Sequence, residues 1–465
     1  MNNSKLLALS TTLTQTEWQD LVSRPITKGS VDRFNLCKHI HVLQQSGQLA
    51  MYDRIAAFKE LFPNAEYDDQ RMRLVESALL RELEYFLVEQ EIKKDEEMFY
   101  RMRLKVYNDR NLAKNFRYAA TRHNDETEAS VNGERWYHKY TAARSLLSFD
   151  SRHVSRKKAL AFSDVVDSLD TFFVASKLMH ACEIINARNV MPVDAELRMM
   201  EVVRQFADEP PFSKDPAVCA YRMVYDSLMQ PDDESFVDRF ADFLQKEGRR
   251  FPYAEQREFF QYLKNFCVKK LNTGRTEYTR RLFEIYKLNL ADKQLLADEP
   301  MSPFEFKNIV TIALRLGEFE WVKAFIPSHL SFLDPEHRAN AELYNQANLH
   351  YFMKDYKTTF RLLQKVEFND VFYALDARSI LLKSCFEQRE EELFAYQASA
   401  FRTFLSRNRK VSDYQRTIYR NFIRFAALLL KSEGDSAQVK AVIDEMEAVR
   451  QVADLRWLRE QAAGL

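Results

Sequence analysis

Apolar residues recur along this chain at spacings of three and four, the period of a helix with one buried face. The clearest stretch is 339–370. Leu343, Ala347, Leu349, Tyr351 and Phe352 mark one helix, and Tyr356, Phe360, Leu362, Leu363 and Val366 mark the next. Met353-Lys354-Asp355 makes the turn, with Asp355 as N-cap. Similar pairs are predicted at 163–187 with 194–206, 216–229 with 232–246, and 255–271 with 276–288. Three more follow: 306–316 with 320–326, 371–387 with 390–407, and 412–431 with 435–450. Ser412 and Asp435 are predicted N-caps, and Pro231-Asp232-Asp233 a helix start. This gives six or seven hairpins at roughly 40-residue spacing, the range of helical repeats. Strand alternation is missing, and Asn132-Gly133 falls between helical patterns, so it reads as a loop.

The first hundred residues follow another plan. A short helix at 55–61, a turn at Phe62-Pro63-Asn64 and a long helix at 68–90 are predicted, then a close pair at 95–107 and 111–121. Residues 1–95 are expected to form an N-terminal helical module, a cap or helix-turn-helix-like unit, and 96–465 the repeat array.

Composition agrees with helices. Only eight residues are glycine, and Gly248, Gly274, Gly317 and Gly434 sit where one helical run ends and another begins. Each is expected to take a positive φ as a helix stop. The formal net charge is zero, which argues against a uniformly nucleic-acid-binding surface. Five scattered cysteines suit a reducing compartment. Residues 1–17 lack a signal-peptide core, and no window approaches the ~20 apolar residues of a membrane span. The expectation is a soluble, cytoplasmic protein.

Candidate chemistry is sparse. Cys37 and His41 would share a helix face with His39 turned away, but no second ligand pair follows, as zinc would need. His180, Cys182 and Glu183 do not have His-Glu-x-x-His spacing. No two glycines lie within ten residues of each other, so no phosphate-cradling loop is expected. There is no nucleophile elbow and no Cys-x-x-Cys pair. No catalytic residue, metal or cofactor is assigned.

Charge is uneven along the chain. Between 101 and 158 basic residues crowd, among them Arg101, Arg103, Arg110, Lys114 and Arg117, interleaved with Tyr100, Tyr107, Phe116, Tyr118, Trp136 and Tyr137. Bases position phosphates and rings stack on nucleobases, although core rings beside a solvated basic face give the same pattern. Residues 194–242 lean acidic. Arg416, Arg420 and Arg424 fall at i, i+4, i+8, one face of one helix, flanked by Arg407, Arg409 and Lys410. The row could hold an acidic partner, or pair internally with Glu390, Glu391 and Glu392.

The unit around Ala347 resembles a tetratricopeptide repeat. Ala347, Tyr356 and Leu363 stand where that repeat has a small residue, an aromatic and a large apolar residue, while Thr359 replaces its second small residue. Two further stretches resemble a family of uncharacterised bacterial tetratricopeptide-like proteins. One is Lys59-Glu60-Leu61-Phe62-Pro63-Asn64-Ala65-Glu66-Tyr67-Asp68-Asp69. The other is Phe401-Arg402-Thr403-Phe404-Leu405-Ser406-Arg407-Asn408-Arg409-Lys410. The resemblance implies an all-α, right-handed α-solenoid and places Asn345 and Asn348 where such domains put backbone-binding amides. It brings no activity. The reading is a non-enzymatic scaffold whose groove binds a segment of another protein, possibly acidic. The alternative is a nucleic-acid-linked regulator using the N-terminal module and 101–158. A winged helix would need a β-hairpin near 95–135.

Overall fold

A computed structural model describes residues 4–24, 31–126, 131–153, 162–189, 191–293, 296, 300–366, 371–432, 434–449 and 451–465. The described residues are helical, with no strand among them. The chain divides into two compact units, Met1–Ser176 and Lys177–Leu465.

The first unit contains α1 (Lys5–Ser10), α2 (Gln15–Ser23), α3 (Val31–Gln45), α4 (Arg54–Leu61), α5 (Asp69–Lys94), α6 (Glu96–Asp109), α7 (Ala113–Glu126) and α8 (Glu134–His153). Helix α9 (Ser163–Arg188) contains the division point. Asp53, Asp68 and Asp95 accept backbone N–H groups at the starts of α4, α5 and α6. Trp18, Leu36, Ile40, Phe58, Met72, Leu83 and Phe86 form one core cluster. Tyr100, Leu104, Phe116 and Phe149 form another, with the Phe116 and Phe149 rings stacked 4.4 Å apart. Helix α8 has no counterpart among the predicted elements.

The second unit continues with α10 (Met200–Asp208), α11 (Pro216–Met229), α12 (Phe236–Glu247), α13 (Tyr253–Asn272), α14 (Tyr278–Leu290), α15 (Pro303–Arg315) and α16 (Phe319–His329). It ends with α17 (Pro335–Phe352), α18 (Tyr356–Leu363), α19 (Val371–Glu387), α20 (Glu391–Arg407), α21 (Asp413–Lys431), α22 (Ser436–Ala448) and α23 (Leu455–Ala463). Ser412, Asp435 and Asp355 cap α21, α22 and α18 as expected. Two starts come later than predicted. Residues 194–199 are outside α10, and Asp233 folds a turn onto Ser235 before α12 begins. Helix α23 lies beyond the predicted hairpins, and it closes one side of the site below.

Five of the hairpins share one device. Each of the turns α13–α14, α15–α16, α17–α18, α19–α20 and α21–α22 has one residue in the left-handed region: Gly274, Gly317, Lys354, Arg389 and Gly434, at φ 90°, 77°, 65°, 61° and 79°. In the first four, the next residue's N–H reaches back five positions, from Arg275 to Lys270, Glu318 to Ala313, Asp355 to His350 and Glu390 to Cys385. This is the Schellman closure, which satisfies carbonyls that a helix end leaves open. Gly248 departs from expectation. Its φ is −54°, inside a 3₁₀ turn, so no left-handed backbone explains the glycine. Ala347 and Thr359 are both fully buried, and the Thr359 hydroxyl bonds the carbonyl of Asp355 in its own helix at 2.9 Å. Threonine thus fills the small-residue place without leaving its hydroxyl unmet.

Candidate functional site: a polar cavity across successive first helices

The opening helices of three consecutive hairpins, α15, α17 and α19, pack in sequence. Each turns a helical row toward a shared cavity of about 500 Å³. Helix α15 supplies Lys307, Thr311 and Arg315, at i, i+4 and i+8; α17 supplies Tyr344, Asn348 and Phe352; α19 supplies Asp376, Lys383 and Glu387. The turn before α23 and α23 itself bring Asp454, Arg456, Trp457 and Glu460.

Buried carboxylates organise the lining. Glu387, with 6 % of its side chain exposed, accepts four hydrogen bonds. Oε1 takes the Tyr351 hydroxyl at 2.6 Å and Trp457 Nε1 at 2.8 Å; Oε2 takes the Tyr356 hydroxyl at 2.6 Å and Lys354 Nζ. Burial alone would raise the Glu387 pKa, but these donors outweigh it and hold the carboxyl below its ordinary range. Asp454 accepts from Lys383 Nζ at 2.5 Å and from the Ser379 hydroxyl at 2.8 Å, and 32 % of its side chain stays open. Its pKa is likewise lowered: burial opposes ionisation, while Lys383, Ser379 and Arg315 favour it. Asp376 joins Lys307 of α15, at 2.5 Å, to the Tyr419 hydroxyl of α21, at 3.3 Å. Tyr344, Tyr351, Tyr356 and Tyr419 are all pushed up, by burial first and then by these carboxylates. Glu387 and Asp454 are thus biased toward their ionised forms and the four phenols toward their neutral ones.

Three groups remain open to a ligand. Arg315 is exposed and makes no ion pair within 4 Å among the described residues. Tyr344 is 3 % exposed, lines the cavity, and its hydroxyl has no hydrogen-bond partner among them. Asn348 is 4 % exposed and only reaches Thr311 Oγ1, at 3.5 Å.

The expected site residues are spread over several places. Of the two amides, Asn348 lines the cavity, but Asn345 is fully buried and donates to the Ala341 carbonyl of its own helix at 2.7 Å. The arginine row divides. The Arg416 guanidinium donates to the carbonyls of Leu405, Asn408 and Val411 at 2.7, 3.1 and 2.9 Å, closing the end of α20. Those contacts occupy its guanidinium. Arg424 pairs with Glu445 at 2.9 Å and lies over the Phe425 ring. Only Arg420 is exposed with no hydrogen bond or ion pair among the described residues. Neither Arg416 nor Arg424 uses Glu390, Glu391 or Glu392. Arg409 and Lys410 are exposed, while Arg407 borders a separate hollow of about 590 Å³ with Arg378, Tyr396 and Thr403.

In the basic region, Arg101 lies 5.4 Å from the Tyr137 ring, Arg103 5.6 Å from Tyr100, and Arg117 binds Asp150 at 3.1 Å. Tyr100 and Phe116 belong to the core. Arg110 and Lys114 are exposed. No β-hairpin occurs among the described residues of 95–135. Cys37 is buried, His39 binds Glu60 at 2.6 Å and His41 stacks on Trp18 at 4.9 Å. The described residues hold no group of three His, Cys, Asp or Glu placed for a metal ion. None of their helices is long and apolar enough to cross a membrane.

Sequence reasoning missed Lys307, Arg315, Tyr344, Asp376, Lys383, Glu387, Asp454 and Trp457. The i, i+4, i+8 rows on α15 and α17 were the available signal. A polar row on a single helix looks the same whether it meets water or a neighbouring helix, and only α23 distinguishes them.

Comparison with protein-family models, with curated proteins and with solved structures returns no match.

Proposed function

We propose that this chain is a non-enzymatic, cytoplasmic scaffold, a right-handed tetratricopeptide-like α-solenoid whose first-helix face binds an acidic segment of a partner protein. The observation that carries this is the cavity across α15, α17 and α19, with Arg315, Tyr344 and Asn348 open beside paired charges. Arg315 offers a fork to a carboxylate, and the phenol and amide suit a polar main chain. The chain's own Asp454 and Trp457 lend support, since Lys383 and Glu387 of this face already hold an acid and an indole. Carboxylates held low and phenols held high favour recognition over proton transfer at neutral pH. The nucleic-acid alternative draws no support from the core placement of Tyr100 and Phe116.

The test is fluorescence anisotropy of labelled decapeptides on the full chain, one set carrying Asp or Glu three residues before Trp, the other carrying Lys instead. Binding confined to the acidic set, weakening as salt rises, is expected. Equal binding of both sets, or binding indifferent to salt, would contradict the reading.

A further inference from the structure

Helix α5 is apolar on two opposite sides. Met72, Glu76, Leu79, Leu83 and Phe86 are buried on one of them. On the other, Leu74, Ala78, Arg81, Tyr85, Val88 and Ile92 follow at intervals of four, three, four, three and four. That alternation is the seam of a coiled coil. Leu74 is 64 % exposed, Tyr85 77 % and Val88 55 %. Exposed apolar groups are usually scattered singly. Here Leu74, Tyr85 and Val88 line up over roughly 21 Å of helix, with Ala78 and Ile92 of the same seam half-buried.

We propose that this face of α5 pairs with the same face of a second copy of the chain, antiparallel about a twofold axis. The seam is self-complementary in that direction. Reversed about its midpoint, it sets Leu74 against Ile92 of the second copy, Ala78 against Val88, and Arg81 against Tyr85. A guanidinium over a phenol ring is an attractive cation–π contact, and the twofold makes it twice. Parallel pairing would instead oppose Arg81 to itself. Lys93 and Lys94 stand in the last turn, where they answer the helix dipole.

Light scattering of the purified full chain across a dilution series reads the mass. A dimer that dissociates on dilution is expected. Tyr85→Glu should give a monomer with unchanged helicity and melting temperature, because Tyr85 is exposed. Arg81→Glu should weaken self-association about tenfold or more, by loss of the ring contact. Combining Arg81→Glu with Tyr85→Lys should restore the dimer, because opposite charges then face each other across the antiparallel seam. A wild-type chain monomeric at every concentration, or a Tyr85→Glu chain that stays dimeric, would overturn the proposal. A double variant that stays dissociated would contradict the antiparallel arrangement.

Discussion

Arg416 and Arg420 look interchangeable in the sequence, one helical turn apart on the same helix, yet they play different parts. Arg416 reaches back to three carbonyls around the end of α20, whereas Arg420 points into water. Charged hydrogen bonds of this kind contribute about 2 kcal/mol where they satisfy groups that would otherwise be unmet. Arg416→Ala should therefore lower stability by about 2 kcal/mol in chemical denaturation, while Arg420→Glu should change it by less than about 0.5. Equal effects would show that the Arg416 contacts do not form in solution. A second residue-scale effect sits in the turns. Arg389 takes φ 61°, which costs any side chain with a Cβ about 1 kcal/mol or more. Arg389→Gly should raise stability by about 1 kcal/mol, read from the melting midpoint, despite losing the guanidinium's contact with Phe386. A lowered midpoint would mean that the side chain's contacts outweigh the strain.

At the scale of elements, Glu387 ties α17, α18, α19 and α23 together through four donors. An amide in its place would point its own N–H groups at some of those donors. Glu387→Gln should then cost about 3 kcal/mol. A smaller loss in a Trp457→Phe background would show that the Trp457 donor shares in the same network. The hairpin pattern itself was legible in the sequence because caps and turns are local: Asp355, Ser412 and Asp435 act at their own helix starts, and Gly274, Gly317 and Gly434 take the predicted backbone. Lys354 and Arg389 were not legible as left-handed stops, since nothing in their chemistry favours that conformation. The site was legible only through Asn348. Which face of α15 or α19 meets a neighbour depends on tertiary packing, and α23 is too short and too polar for its pattern to stand out. Asn345 shows the same limit from the other side: an amide one turn from Asn348 faces inward and bonds its own helix.

At the scale of the whole molecule, each unit carries a histidine that opposes acidification. Burial lowers the pKa of His138 in the first unit from its ordinary 6.5, with Arg101 helping, and overrides the pull of Glu97 and Glu134. Burial does the same for His329 in the second, against the Phe325 carbonyl. A depressed histidine binds its proton more readily unfolded, so stability is full above about pH 6.5 and falls as pH drops below it. The lowered carboxylates Glu387 and Asp454 add a further loss below their ordinary values of 4.5 and 3.8. Melting temperature should decline from pH 7.5 to 5.5, and replacing His138 and His329 by Gln should flatten that decline. A decline unchanged in the double variant would place its origin elsewhere. Whether partners are held on the face of α15, α17 and α19 can be decided by one comparison of affinities. The acidic peptide that binds best is titrated against Arg315→Glu and against Arg420→Glu. Both arginines are exposed and make no ion pair among the described residues, but one lies in the cavity and the other on the row read from the sequence. Arg315→Glu is expected to weaken binding tenfold or more, about 1.4 kcal/mol, while Arg420→Glu leaves it unchanged. Loss of binding in Arg420→Glu with Arg315→Glu unaffected would contradict a partner site on this face.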